Sequence, residues 1–274
     1  MNNLLSCPFR ANRVYALLPV YPRCRSLRSL CLGLNSAAPA GRMLPLLLLC
    51  SLICFSSCSN DDTPASLSDA PVAVSFSADN LATAHTRTTT GGDAWSQNDP
   101  IGIFMLKNKE PLSSTGIAEG ADNISYKADL ESQNTSFSPV GTAIYYPQNG
   151  DKVDFIAYYP YKSSLTNYTY PVDVSIQTDP SAIDVLYAYT NPDGLGDGYN
   201  KRSNGTVDLP FTHALSKLII NVVKGTGITN LTGLSVSISG RYQTANLSLS
   251  NGIMFTSPQT GDISLREVTA TSQY

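Results

Sequence analysis

The sequence predicts an all-β body. Short runs alternate apolar and polar residues at a period of two, clusters of Gly, Pro, Asn and Asp punctuate them, and no stretch shows a long helical period. Many short strands divided by such turns read as a β-sandwich. The alternation opens at Val72, where Val72, Val74, Phe76 and Ala78 share one face and Ser75 and Ser77 lie between them. Further strands are expected at 101–106, 142–146, 153–159, 172–176, 185–189, 215–223, 234–238, 245–249 and 263–268. The turns between them are set by Asn98-Asp99-Pro100, Asn149-Gly150, Asp179-Pro180, Asn191-Pro192-Asp193-Gly194, Lys224-Gly225 and Asn251-Gly252. Gly102, inside a strand, leaves room for close approach by a neighbour, and Pro160 stops the run that ends at Tyr159.

Charge and cysteine divide the chain in two. Residues 1–58 hold six Arg and no acidic residue, so residues 59–274 keep all 21 acids against 12 of the 18 basic residues, a net of −9. A body of that sign is a poor match for nucleic acid, whose phosphates call for Lys and Arg. All six cysteines, Cys7, Cys24, Cys31, Cys50, Cys54 and Cys58, lie in the first part. The body therefore has neither a disulfide nor a thiolate metal site, and packing must hold it.

The apolar run from Met43 to Phe55 is the length of a signal-peptide core, too short for a comfortable membrane span of about 20 residues. It follows Arg42 and ends in Phe55-Ser56-Ser57-Cys58. Small residues before a cysteine resemble the bacterial lipobox, which makes Cys58 the expected site of lipidation and the first residue of the mature chain. Phe55 departs from the aliphatic residue usual there. Residues 1–42 show no clear strand or helix period, and the true start is expected at Met43, with an unusually long leader as the alternative. A flexible tether is expected over 59–71, one β-sandwich domain over 72–206, and a partial second one over 207–274. The boundary is the Gly/Asn/Asp-rich stretch 193–206, and the short second part is either truncated at Tyr274 or completed by another chain.

Several segments in order resemble the fimbrillins of the Bacteroides group. They are Val74-Ser75-Phe76-Ser77-Ala78, then Thr86-Arg87-Thr88 and Trp95, then Asn98-Asp99-Pro100-Ile101-Gly102-Ile103-Phe104. After them come Ala143-Ile144-Tyr145-Tyr146-Pro147, Val153-Asp154-Phe155-Ile156-Ala157-Tyr158-Tyr159-Pro160-Tyr161, Asp184-Val185-Leu186-Tyr187-Ala188, and Leu209-Pro210-Phe211-Thr212-His213-Ala214-Leu215. The resemblance implies a transthyretin-like β-sandwich followed by a second, here incomplete, β-sandwich. It implies a lipoprotein of the outer membrane, displayed on the surface, and the acidic patch Ser59-Asn60-Asp61-Asp62 resembles the display signal of that group. It also implies assembly into a fimbria by β-strand addition with other fimbrial subunits. In that scheme a protease cuts at Arg87, the strand carrying Val72, Val74, Phe76 and Ala78 leaves, and a neighbour's strand takes its place. The function implied is adhesion, to a ligand on a host or bacterial surface.

No catalytic residue, metal site or cofactor is expected. The two histidines, His85 and His213, belong to no GxSxG, HExxH, Walker or GxGxxG pattern, and His213 beside Phe211 and Leu215 reads as a packing residue. Asp193-Gly194-Leu195-Gly196-Asp197-Gly198 lacks the ligand order of an EF-hand and reads as a turn. Ten of the 15 tyrosines lie between Tyr145 and Tyr199, which keeps a surface glycan-binding lipoprotein as the alternative function.

Overall fold

The structure is a computed structural model that describes residues 12–19, 70–79, 94–202, 205–257 and 259–268, all within one compact body. Met43, Cys58, His85, Arg87 and residues 59–69 of the expected tether lie outside the described residues. The body is all-β. Its first strands are β1 (Asn12–Pro19), β2 (Phe76–Ala78), β3 (Pro100–Lys107), β4 (Ile124–Ala128), β5 (Thr135–Pro139), β6 (Val153–Tyr159) and β7 (Thr169–Asp173). The one-turn helix α1 (Pro180–Ile183) follows, then β8 (Leu186–Tyr189), β9 (Val207–Asp208), β10 (Thr212–His213) and β11 (Leu215–Val222). The last are β12 (Ser237–Tyr242), β13 (Thr244–Ser248), β14 (Ile253–Thr256), β15 (Thr260–Ser264) and β16 (Arg266–Val268).

Eight strands form the main sheet in the order β10-β8-β6-β3-β4-β5-β2-β9. Laid flat, seven spacings of about 4.8 Å would put its edges about 34 Å apart. Yet β9 and β10, its two edges, are joined by only Leu209, Pro210 and Phe211. Four residue steps reach at most about 14 Å, so the sheet must curl until its edges approach. The inside of the curl is one core: Phe76, Trp95, Ile101, Ile103, Phe155 and Phe211 all belong to it.

β3 and β6 explain why a second layer exists. Every residue from Ile101 to Leu106 and from Val153 to Tyr159 is buried. Alternation sends Ile101, Ile103, Met105, Val153, Phe155, Ala157 and Tyr159 into the curl. It sends Phe104, Leu106, Ile156 and Tyr158 the other way, into a second core with Tyr170, Val172, Leu215, Leu247 and Ile263. A sheet apolar on both faces must be covered on both. Part of the cover is the three-stranded sheet β14-β13-β7, in which Tyr170 pairs with Leu247 and Val172 with Ala245. β7 thus ties the segment before residue 206 to the segment after it through a main-chain ladder.

Gly102 is required by its neighbour across the sheet. It pairs with Tyr158, and a Cβ on it would stand 2.3 Å from Tyr158 Cε1. The Tyr158 ring therefore lies across the glycine, and its single O–H proton has two acceptors in reach, Asn123 Oδ1 at 2.7 Å and the Lys162 carbonyl at 3.0 Å. Burial pushes its pKa up to about 12, and burial followed by the nearby Tyr199 does the same for Tyr146. Tyr159, Tyr170 and Tyr187 are raised too, first by burial. A raised pKa in the fold means that the neutral phenol is the stabilised form. Its contribution is complete below the unfolded value near 10 and is lost as pH climbs through the folded value. Circular dichroism between pH 9 and 12 should therefore show cooperative loss of the β signal above pH 10. Tyr158→Phe should be less stable at neutral pH but show a flatter dependence on alkali. An unchanged dependence would remove Tyr158 from the account.

Asp154 faces the same side as Tyr158 and is fully buried. Its carboxylate accepts from Asn108 Nδ2 at 3.1 Å, Lys109 N at 2.7 Å and Asn191 Nδ2 at 3.2 Å. Asn191 in turn takes the Gly196 N–H on Oδ1 at 2.7 Å. The Gly-rich turn expected at 193–198 is thus held from beneath by an amide fixed on Asp154.

The strands β4, β5, β9 and β14 fall outside the expected runs, β7 and β12 lie shifted from the runs expected at 172–176 and 234–238, and two further segments differ more sharply. Asn12–Pro19, in a stretch with no clear period, runs as β1 between β11 and β16, antiparallel to both. The run 142–146 forms no strand. Ile144 and Tyr146 are buried as an alternating pair would be, but the backbone makes only the bridge Ala73–Tyr145.

Candidate functional site

β2 sits inside the main sheet rather than at its edge. It pairs antiparallel with β5, where Phe76 faces Phe137 and Ser77 faces Ser136, and parallel with β9, where Phe76 faces Val207. The residues before it extend the ladder. Val74 N donates to Ile144 O at 2.9 Å, and Tyr146 N to Val72 O at 3.0 Å. On the other flank Val207 N reaches Ser75 O and Leu209 N reaches Ser77 O, both at 2.8 Å. Asp208 adds a side-chain bond, accepting the Asp79 N–H on Oδ1 at 3.0 Å.

The side chains follow the period of two. Val74, Phe76 and Ala78 are buried, with Phe76 at 1% exposure. Val72 is 37% exposed and stands outside that face. The Phe76 ring meets Tyr126 at 5.2 Å and Phe155 at 5.1 Å, both edge to face, a geometry that aromatic quadrupoles favour. Tyr126 links this seat to the loop beside it, because its hydroxyl accepts the Ile144 N–H at 2.8 Å. Trp95 packs edge-on against Phe137, Tyr159 and Phe211, so the rings of β5, β6 and the β9–β10 link converge on one indole.

This arrangement is a strand seat. It offers two main-chain ladders and a row of alternating apolar side-chain positions at Val74, Phe76 and Ala78, the features that an added β-strand reads. The structure brings three of the four named residues of the strand together in the seat. The parallel partner β9 went unread. Val207, Leu209 and Phe211 are all buried, and their alternation is the signal for it in the sequence.

The other residues singled out belong to the scaffold. His213 Nδ1 lies 2.9 Å from Asp184 Oδ1, and both side chains are buried. Tyr158 and Tyr159 are buried at 0% and 5% exposure, so much of the tyrosine-rich stretch is core rather than a binding face. Among the described residues, no group of three His, Cys, Asp or Glu is placed to hold a metal.

Comparison with known proteins gives consistent matches. The family described as fimbrillin-like matches residues 86–274, a span that begins after β2. A protein of Bacteroides uniformis named as the fimbrium subunit Fim1C is 34% identical over 163 residues, 58% of this chain and 50% of that one. This chain thus spans about half the length of that relative. Among solved structures, a protein of Bacteroides uniformis assigned to cell adhesion superposes with a TM-score of 0.55 at 27% identity, covering 74% of this chain and 72% of its own. A second, from Bacteroides ovatus and also assigned to cell adhesion, superposes with a TM-score of 0.52 at 14% identity over 74% and 75% of the two chains, a likeness of fold. With more than half of its length matched by the family's pattern, the chain belongs to the fimbrillin-like family.

Proposed function

We propose that this chain is a structural, non-enzymatic subunit of a fimbria, displayed at the cell surface and serving adhesion. A lipid on Cys58 anchors the precursor in the outer membrane. Cleavage at Arg87 frees the segment carrying Val72, Val74, Phe76 and Ala78, and a strand from a neighbouring subunit enters the seat. The observation that carries this reading is the position of β2. It is an interior strand, bonded on both sides, yet it lies first in the main sheet's chain order, and its departure leaves every pairing from β5 through to β10 in place. Family membership and the adhesion and fimbrium names of the relatives support the same reading.

Lipoprotein processing before Cys58 would also remove β1, which lies between β11 and β16. The processed chain then has a strand position open between β11 and β16.

Limited trypsin digestion of the full chain tests the scheme. The intact chain should elute as a monomer. The first cut should fall at Arg87, and oligomers should appear only after it when a full-length fimbrillin is present. Arg87→Ala should block both events. A cut chain that stays a folded monomer beside that partner would rule out strand exchange.

A further inference from the structure

A cleft of about 730 Å³ opens on the side of β3 that carries Phe104, turned away from the interior of the curled sheet. Its volume falls within the range of small-molecule sites, about 300–1,000 Å³. One wall is the turn Thr166–Thr169, closed by Thr169 N donating to Thr166 O at 3.0 Å. The two central residues, Asn167 and Tyr168, have φ of 50° and 52°. This is the type I′ pattern, whose second central position is ordinarily a glycine. Here a tyrosine occupies it, and a bulky residue at positive φ is a genuine outlier. Such outliers gather at binding sites, where the surroundings hold them.

The surroundings do hold this one. The Tyr168 carbonyl accepts the Leu249 N–H at 3.0 Å, and the ring stands edge-on to Phe104 at 5.7 Å. The phenol reaches toward Asp122 Oδ2, 3.5 Å away. Across the cleft Asn123, also at positive φ (57°), is fixed by Tyr158 and by its own bond to Lys162 O at 2.8 Å. Ser163, Ser164 and Asn167 add two hydroxyls and a carboxamide to the lining.

We propose that this cleft binds a neutral saccharide of one to a few rings. Tyr168, held edge-on against the fully buried Phe104, offers an aromatic surface that suits the C–H face of a sugar ring. The carboxamides and serines both donate and accept, and the Asp122 carboxylate accepts, as vicinal hydroxyls require. Among the described residues the lining contains one carboxylate and neither Lys nor Arg, so it repels anionic sugars and phosphates rather than gathering them. Its many polar groups would be left unpaired by an apolar ligand. The proposal goes beyond the assembly scheme and does not depend on it, because the cleft and the β2 seat lie on opposite faces of the main sheet.

Affinity electrophoresis of the purified full chain through gels containing starch, yeast mannan or xyloglucan, with heparin as the anionic comparison, tests it. At least one neutral polysaccharide should retard the protein, and heparin should retard it less. Asn167→Ala and Tyr168→Gly should each weaken retardation tenfold or more while the thermal midpoint stays within a few degrees. If Tyr168→Gly fails to fold, Asn167→Ala and Ser164→Ala decide the matter. Arg87→Ala should bind like the parent chain, so binding and assembly can fail separately. No retardation by any neutral polysaccharide, equal or stronger retardation by heparin, or full retardation of the cleft variants that fold would overturn the proposal.

Discussion

Phe76→Ala should destabilise the protein by about 3–5 kcal/mol, the cost of truncating a fully buried phenylalanine in a core that relaxes little. The reason is local. At 1% exposure the ring has no route to solvent, and it holds two edge-to-face contacts, with Tyr126 and Phe155. Its neighbours sit on different strands of the curl, β4 and β6, so the space it leaves cannot be closed by shifting one strand. Val72→Ala is the internal contrast. Val72 is 37% exposed and off the buried face, and its truncation should cost about 0.5 kcal/mol or less. Urea unfolding of both variants reads the difference directly, as a fall in midpoint at constant slope. The gap between them measures how strongly alternate side chains, rather than the ladder alone, retain the strand. A cost below about 1 kcal/mol for Phe76→Ala would mean that the seat is not packed as described.

Asp154→Ala should be comparably severe, for a different reason. Three donors converge on the carboxylate: Asn108 Nδ2, Lys109 N and Asn191 Nδ2. Without it the Asn108 amide and the Lys109 N–H lose their carboxylate acceptor in a part-buried site, and Asn191 Nδ2 keeps only the Gly196 carbonyl at 3.3 Å, at about 1–3 kcal/mol per group left unpaired. The Lys109 N–H matters twice, because Lys109 is itself at a φ of 67° and the bond helps hold that conformation. A total loss of about 3 kcal/mol or more follows, roughly 6–12 °C in the thermal midpoint of a body this size. Asp154→Asn keeps the shape and should fall between. Because Asn191 also positions Gly196, the alanine variant should be cut faster by proteases around 193–198. Scanning calorimetry combined with limited proteolysis checks both effects. A normal midpoint with an unchanged cleavage rate would show that the polar node is incidental.

The strand content was readable where both faces or a clean alternate face are apolar. β3 and β6 announce themselves because their runs 101–106 and 153–159 are buried throughout, and the Val74-Phe76-Ala78 alternation because its partners are serines. β4 and β5 were harder. Their buried positions, Tyr126 and Ala128 in one and Thr135 and Phe137 in the other, are only two per strand, set among Ser, Lys and Pro. β9 is two residues long, below what periodicity can register, although its neighbours Leu209 and Phe211 carry the same alternation. The run at 142–146 misled because Ile144 and Tyr146 are inward-facing while the local main chain spends its bonds on Val72, Val74 and Tyr126. The strand seat was therefore legible from its occupant, but its parallel flank was not. The roles of Tyr158 and Tyr168 were invisible for another reason. Both sit in the same tyrosine-rich stretch, and only the fold buries one across Gly102 while lifting the other onto a turn.

The three-residue link between β9 and β10 bears on how such a chain survives at high concentration. Each margin of the main sheet is a strand only two residues long. A long bare margin would template the docking of any extended polypeptide and seed insoluble aggregates, whereas very short margins give an incoming chain too few main-chain bonds to stay. The folded chain is thereby protected from indiscriminate cross-chain stacking. Departure of β2 would change this at one place alone, the slot it leaves, baring β5 along Thr135–Pro139 and β9 along Val207–Asp208. The same curl that guards the stored subunit would then confine stickiness to a single address.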